Sequence, residues 1–271
     1  MAKSISFNGS KDRVLNCIPS TLMEKDWLYD DALAADFAKP QRLLKDVDLR
    51  ESWWYISDQG RTGSCVGQAV ADGLLRWHFV NKGTIGQNEL LSVRFIWMAS
   101  KETDEFNTKP SSFLENAGTS LKGALDIARD FGCVKDSVLP FLENCKLYPG
   151  DEREFYAIAS NFKIKNYFNL SSGAPKTKSD IWREWLSNGN GPIVTRLNVD
   201  SEWDNIKSNG NLDTYYPNST RGGHAVTIVG FKEGRFIIRN SWGDKWGDKG
   251  FANASIAYSE AAFTESYGVT V

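Results

Sequence analysis

From Ser64 onward apolar residues recur at Val66, Ala69, Val70, Leu74 and Trp77, the spacing of one helix face. Asp72 and Arg76 fall on the side expected to meet solvent, and Gly83 stands where a helix would stop. The pattern predicts a buried helix over 65–80. The run from Glu89 to Lys101 is apolar on most sides, with Asn88 in N-cap position, and predicts a second packed helix over 89–101. A third, Ser120 to Phe131, sets Leu121, Leu125, Ile127 and Ala128 on a packing stripe and ends at Gly132. After Pro149 the texture changes. Ser179 begins a short helix with Ile181, Trp182, Trp185 and Leu186 inward and Gly189 as its end, and the remainder is strand-like over 192–199, 224–231 and 235–240. Lys232 to Arg235 joins the last two as a hairpin whose loop is expected to be slightly longer than the tightest type. His224 then opens one strand and Asn240 lies just past the end of its partner, which brings the two side chains together. Residues 1–45 read as an appendage, 46–148 as a mainly helical lobe and 149–271 as a mainly β lobe.

Composition narrows the classes. The 271 residues are 41% hydrophobic and 24% charged with a formal net charge of -2, which describes one large globular domain or two small ones. Lys and Arg number 32 against 34 Asp and Glu, which is no electrostatic footprint for a polyanion, so no nucleic-acid partner is expected. No apolar run is long enough for a membrane span, and the start, MAKSISFNGSKDR, lacks the apolar core of a secretory signal. The expected compartment is the cytoplasm, with no membrane partner, and the oligomeric state is left open.

Four cysteines (Cys17, Cys65, Cys133 and Cys145) and two histidines (His78 and His224), with no C-x-x-C pair, spell no structural zinc site. No metal or cofactor is implied. A chain of this length needs no disulfide staples, so Cys133 and Cys145 read as buried or free thiols, and Cys17 is given no role. Cys65 differs because it follows Gly60, Gly63 and Ser64 and opens the first predicted helix, where unpaired N–H groups favour a thiolate. Of the two possible bases, His78 lies thirteen residues further along the same helix, about 20 Å away, and is assigned to a packing contact or the helix surface. His224, after Gly222 and Gly223, has an open backbone approach, and Asn240 is placed to orient its ring. Trp242 and Trp246 would cover that contact and exclude water. Gln59, six residues before Cys65, could join the Cys65 backbone N–H in holding an oxyanion.

With these residues on the page, the chain resembles the papain-like (C1) cysteine peptidases. DQGRTGSCVGQA (Asp58 to Ala69) is similar to that family's glutamine and cysteine segment, GGHAVTIVGF to its histidine strand, and RNSWGDKWGDKGF to its asparagine and tryptophan segment. Coverage runs from about Asp46 to the C-terminus. The resemblance implies an α+β, two-lobed fold, with a helical left lobe bearing Cys65 and an antiparallel, β-barrel-like right lobe bearing His224 and Asn240. It implies a peptide or protein substrate in the cleft between them, where Gly63, Ser64, Gly118 and Gly223 would bind substrate or shield the site beside Trp242 and Trp246. Thr62 and Val66 stand where secreted members carry a half-cystine and a Trp, so one family disulfide is impossible. The C-x-G-G segment is replaced by GTSLKGAL (Gly118 to Leu125), closer to non-secreted bacterial relatives. The expected activity is peptide hydrolysis through a thioester on Cys65. Capture of that thioester by an amine, and a silenced peptide-binding relative, remain as alternatives. Whether residues 1–45 restrain the site stays open, since a plain clamp across the lobes explains the same residues.

Overall fold

The structure is a computed structural model that describes residues 10–39, 43–103, 118–141, 152–173 and 175–271. Cys145 and the expected lobe boundary at 148–149 lie outside the described residues. The described helices are α1 (Tyr29–Ala34), α2 (Cys65–Gly67), α3 (Arg76–Asn81), α4 (Val93–Thr103), α5 (Leu121–Asp130), α6 (Glu152–Ala159), α7 (Lys178–Ser187), α8 (Ser201–Asp204) and α9 (Ile256–Ala262).

The helix that opens at Cys65 runs to Asn81, close to its expected end, but its middle is not α-helical. Residues Gln68–Leu75 form a π-helical stretch between α2 and α3. Two side chains seat on carbonyls of that wide turn, Thr227 Oγ1 on Ala69 (3.2 Å) and Trp54 Nε1 on Asp72 (2.8 Å). Apolar spacing does not separate the two helix types, so this was not legible in the pattern. Asp72 and Arg76 correct the sequence reading outright, because both are buried, not solvent-facing. Arg76 Nη1 donates to Asp72 Oδ1 at 3.1 Å, and Arg239 Nη2, from a distant strand, donates to Asp72 Oδ2 at 2.5 Å. A charged pair reads as surface until a third charge arrives to balance it in the interior.

Helix α4 begins four residues later than expected. Ser92, not Asn88, caps it, with Oγ accepting the Phe95 N–H at 3.0 Å, while the Glu89 carbonyl is taken by Arg76 Nε at 3.0 Å. Helix α5 forms where its periodicity places it, capped by Ser120 Oγ on the Gly123 N–H (3.1 Å) and followed by Gly132 at φ 99°. Helix α7 is likewise as expected, with Thr177 at its N-cap. Helix α6 was not foreseen; it packs Phe155 edge-on against Phe95 at 5.2 Å between ring centroids.

The β half is one sheet among the described residues. Its strands are β1 (Val47–Asp48), β2 (Asn166–Asn169), β3 (Ile193–Val199), β4 (Asn211–Leu212), β5 (Gly222–Lys232), β6 (Arg235–Arg239), β7 (Phe251–Ser255) and β8 (Phe263–Thr270). They follow the open path β2-β8-β3-β5-β6-β7-β4, with β1 beside β5, so the barrel-like arrangement is not a closed ring. All pairs are antiparallel except β4 with β7. The β5–β6 connection is tighter than expected: Lys232 pairs with Arg235, leaving only Glu233 (φ 52°) and Gly234 (φ 78°) to turn the chain.

Strand β5 is shared by two cores. Ala225 enters the helical lobe's core with Val66, Val70 and Leu74, whereas Val226 and Ile228 enter a second core with Trp182, Trp185 and Phe236. The two-residue period places His224 on the second, tryptophan-rich side. Residues before 45 pack onto this body: Tyr29, Ala32 and Ala38 join the second core, and Leu28 bridges to Asn169.

Candidate active site

Cys65, at the start of the long helical run, and His224, near the start of β5, are both fully buried and meet between the helical lobe and the sheet. His224 Nε2 lies 2.8 Å from Asn240 Oδ1. The same oxygen accepts the Ser241 backbone N–H at 2.8 Å. That N–H fixes which end of the Asn240 amide faces the ring, so Nε2 is the donor and Nδ1 is left for Cys65. The thiol of Cys65 is held well below its ordinary range. The first cause is the neighbouring Cys17 thiol, followed by the nearby His224 and the Ala225 N–H, all working against burial. The Cys17 thiol is pushed well up, first by burial and then by Cys65. The helix start was expected to activate Cys65; the structure adds the second thiol.

Gln59 is buried and tied to the segment that carries Asn240. Its N–H bonds the Ser241 carbonyl at 2.9 Å and its Oε1 accepts from Ser241 Oγ at 2.9 Å. Nε2 gives one proton to Thr62 O at 3.0 Å and aims the other at the carbonyl of Val14, 3.5 Å away. Gly63 and Ser64 are buried in the bend before Cys65, with Ser64 Oγ on Thr62 Oγ1 at 2.8 Å. The Trp242 ring lies 4.9 Å from the His224 ring, centroid to centroid. Trp246 contributes at one remove, stacked on Trp203 (4.9 Å) and edge-on to Trp242 (5.5 Å). Trp203 itself sits edge-on to His224 at 5.8 Å and was missed in the sequence, where no spacing relates it to the motifs. His78 is a packing residue, buried against Gly191 and Trp77, and burial lowers its pKa to about 4.

The burial of the site has a visible cause. Residues 13–20 run between the two lobes and cover it. Arg13 pairs with Asp58 and donates to the carbonyls of Gly60 (3.0 Å) and Trp242 (3.1 Å). Asn16 pairs with Gly223 as a parallel bridge, and the Cys17 N–H donates to the Gly223 carbonyl at 2.9 Å. Arg196 Nε bonds the Cys17 carbonyl at 3.0 Å, and Glu265 Oε1 accepts the Ser20 N–H at 3.0 Å. Two of the glycines singled out in the sequence lie flush against this segment: a Cβ on Gly118 would stand 1.7 Å from the Asn16 carbonyl oxygen, and one on Gly223 would stand 2.1 Å from that of Cys17. Cys17, assigned no role from sequence, is thereby corrected to a direct neighbour of Cys65. Its proximity depends on chain segments distant in sequence, and no local signal announces it.

Cys17, Cys65 and Cys133 are free thiols. Burial pushes the Cys133 thiol up to about 12. Among the described residues no cluster of three or more His, Cys, Asp or Glu side chains could hold a metal, and no helix is long and apolar enough to cross a membrane.

A peptidase C1-like protein of Acanthamoeba polyphaga mimivirus is 54% identical over 227 residues, spanning 80% of this chain and 68% of the viral protein. A cathepsin L-like proteinase of Fasciola hepatica is 26% identical over 218 residues, 76% of this chain and 58% of the fluke protein. In fold the chain is similar to xylellain, a cysteine protease from Xylella fastidiosa (TM-score 0.77, 21% identity, 95% of this chain and 96% of that one). It is also similar to digestive procathepsin L 3 of Tenebrio molitor (TM-score 0.66, 17% identity, 86% and 72%). The model of the papain family cysteine proteases matches residues 43–269, and with that span and the mimivirus relative in hand, the chain belongs to the papain family of cysteine proteases.

Proposed function

We propose that the chain hydrolyses peptide bonds through a Cys65 thiolate and a His224 imidazolium, and that residues 13–20 must leave the cleft before substrate enters. The reading is carried by one observation: Asn240 holds His224 Nε2 at 2.8 Å and so leaves Nδ1 for a thiol whose ionisation its surroundings favour. Cys65 Sγ attacks the carbonyl carbon of a bound peptide. The developing oxyanion is received by the Cys65 backbone N–H, which as the first of a helix has no intrahelical partner, and by Gln59 Nε2. The aim of Gln59 Nε2 at the Val14 carbonyl supports this role, because it shows the amide turned toward a backbone carbonyl in the cleft. His224 Nδ1–H then protonates the leaving amine, the acyl group stays on Cys65 as a thioester, and water deprotonated by His224 releases the acid. Trp242 and Trp203 keep bulk water from the imidazole.

The test compares the full chain with a form beginning at Thr21. This form is preferred to one beginning near Lys45, which would strip Tyr29, Ala32 and Ala38 from the second core. The shorter form should cleave a fluorogenic peptide faster than the full chain, and its Cys65→Ala counterpart should not cleave at all. Iodoacetamide near pH 5.5 should label Cys65 of the shorter form quickly, since an ordinary thiol is only about 0.1% ionised there. Equal rates from the two forms would remove the segment from the mechanism; turnover by the Cys65→Ala form would remove the nucleophile.

A further inference from the structure

The segment that covers the cleft places a second sulfur directly against the first. The two thiols lie in the same buried cluster, near enough for each to shift the other's ionisation, with Cys17 Sγ also 3.9 Å from the Ile18 carbonyl. Cys17 is held there from both ends of its peptide unit, its N–H on the Gly223 carbonyl at 2.9 Å and its carbonyl on Arg196 Nε at 3.0 Å. Cys133, the other described free thiol, is bonded instead to backbone carbonyls in the helical core, Val134 at 3.4 Å and Ser92 at 3.7 Å. A covering segment needs only backbone contacts and a side chain that fits; it does not need sulfur at the position facing the nucleophile.

We propose that Cys17 is a resolving cysteine for Cys65, and that a hydroperoxide converts the pair into a reversible disulfide that fastens residues 13–20 in the cleft. The inference rests on the reading of Cys65 as the nucleophile. Cys65 Sγ attacks one oxygen of the hydroperoxide: an S–O bond forms, the O–O bond breaks, and the departing oxygen takes the proton of His224. The products are a Cys65 sulfenic acid and an alcohol, or water when the oxidant is hydrogen peroxide. Cys17 Sγ then attacks the sulfur of the sulfenic acid: the S–S bond forms, the S–O bond breaks, and the Cys17 proton leaves with the hydroxyl as water. Two electrons from the two sulfurs reduce one hydroperoxide, and an external dithiol reverses the change by exchange. Hydrogen peroxide, close to water in size, needs a far smaller opening of the covering segment than a peptide does. The trapped form would also be spared further oxidation to the sulfinic acid, which a dithiol does not repair.

The two thiols divide the work in the required sense. His224 and Cys17 hold the Cys65 sulfur as the better attacking group, while burial keeps Cys17 protonated until a leaving hydroxyl is there to take its proton. The experiment treats the full-length chain with hydrogen peroxide, quenches it, and maps peptides by mass without reductant. Wild type should yield one linked peptide joining Cys17 to Cys65, lighter than its parts by about 2 Da and absent after dithiothreitol. A Cys17→Ser variant, which has no sulfur to capture the sulfenic acid, should go on to a gain of about 32 Da at Cys65, the sulfinic acid that a dithiol does not reduce. After dithiothreitol and removal of the segment, wild type should recover activity to within about twofold, while the variant should recover less than about a tenth. A linked pair is read by mass whether or not the chain turns over. A linked but inactive wild type would therefore support the latch and count against the peptidase reading. Oxidised Cys65 in wild type with no Cys17 linkage would overturn the latch, as would linkage of Cys17 to another cysteine, whatever the activity.

Discussion

Asp72 offers the sharpest test of how the two lobes are joined. Its carboxylate lies in the π-helical stretch and balances two buried guanidinium groups, Arg76 from the same helical run at 3.1 Å and Arg239 from β6 at 2.5 Å. Each arginine has other partners that carry no charge. Arg76 Nη2 donates to the Gln87 carbonyl at 2.8 Å, Arg239 Nη2 to the Tyr55 carbonyl at 2.7 Å, and their planes lie over Trp53 and Trp54. Asp72→Asn therefore removes one negative charge at constant shape and leaves two cations without a counter-ion. At an effective dielectric of about 20, each contact is worth about 4 kcal/mol before desolvation, and breaking a buried group of this kind typically costs about 3 to 5 kcal/mol. With a urea dependence of about 2 kcal/mol per molar, the unfolding midpoint should fall by about 2 M. Because the group is buried, raising the salt concentration should not restore it. The assay is urea unfolding followed by tryptophan fluorescence on wild type and Asp72→Asn, with Cys65→Ser as a substitution in the cleft that leaves the Asp72, Arg76 and Arg239 cluster intact. A midpoint shift below about 0.5 M would refute the reasoning, because it would mean that the carbonyls and rings alone stabilise both cations.

Gln59→Ala should lower turnover by about a hundredfold to a thousandfold, the usual loss for one oxyanion donor. Removing its bond to Ser241 Oγ should cost only about 1 kcal/mol of stability; a steady-state assay on the form beginning at Thr21 with near wild-type turnover would exclude the amide from the reaction. Asn240→Ala should reduce turnover less, by about tenfold to a hundredfold, and alter the pH dependence of the rate, since Nε2 loses its acceptor and the ring is free to turn; an unchanged pH–rate profile would contradict the positioning role. For His78, burial lowers the pKa from 6.5 to about 4, so the folded chain binds this proton later than the unfolded chain does. Stability from this source is complete above pH 6.5 and is lost as pH falls toward 4, about 3 kcal/mol in all. Thermal unfolding of wild type and His78→Gln at pH 7 and pH 4.5 should show a smaller acid loss in the variant, and equal losses would remove His78 from the acid response.

Local sequence carried most of the elements and the residues with chemistry in them. Periodicity located α5 and α7, because each buries one stripe and is capped within a few residues, and it located the helix that opens at Cys65 although that run is buried on every side as far as Arg76. The hairpin placed His224 beside Asn240 because pairing along two adjacent strands is a nearly local matter. What escaped was decided by partners far away in the chain. Asp72 and Arg76 are polar by type and buried by circumstance, since Arg239 comes from another lobe to balance them. Asn88 lost its place as a cap because Ser92 starts α4 later, with Arg76 holding the Glu89 carbonyl outside it. Trp203 and Cys17 reach the site only after β3, β5 and the N-terminal segment are packed together. Secondary structure and the chemistry of single residues follow from interactions a few positions long, which a sequence displays directly. Which thiol faces Cys65, and what fills the cleft, follow from contacts between segments up to the length of the chain apart, and only packing in three dimensions selects those.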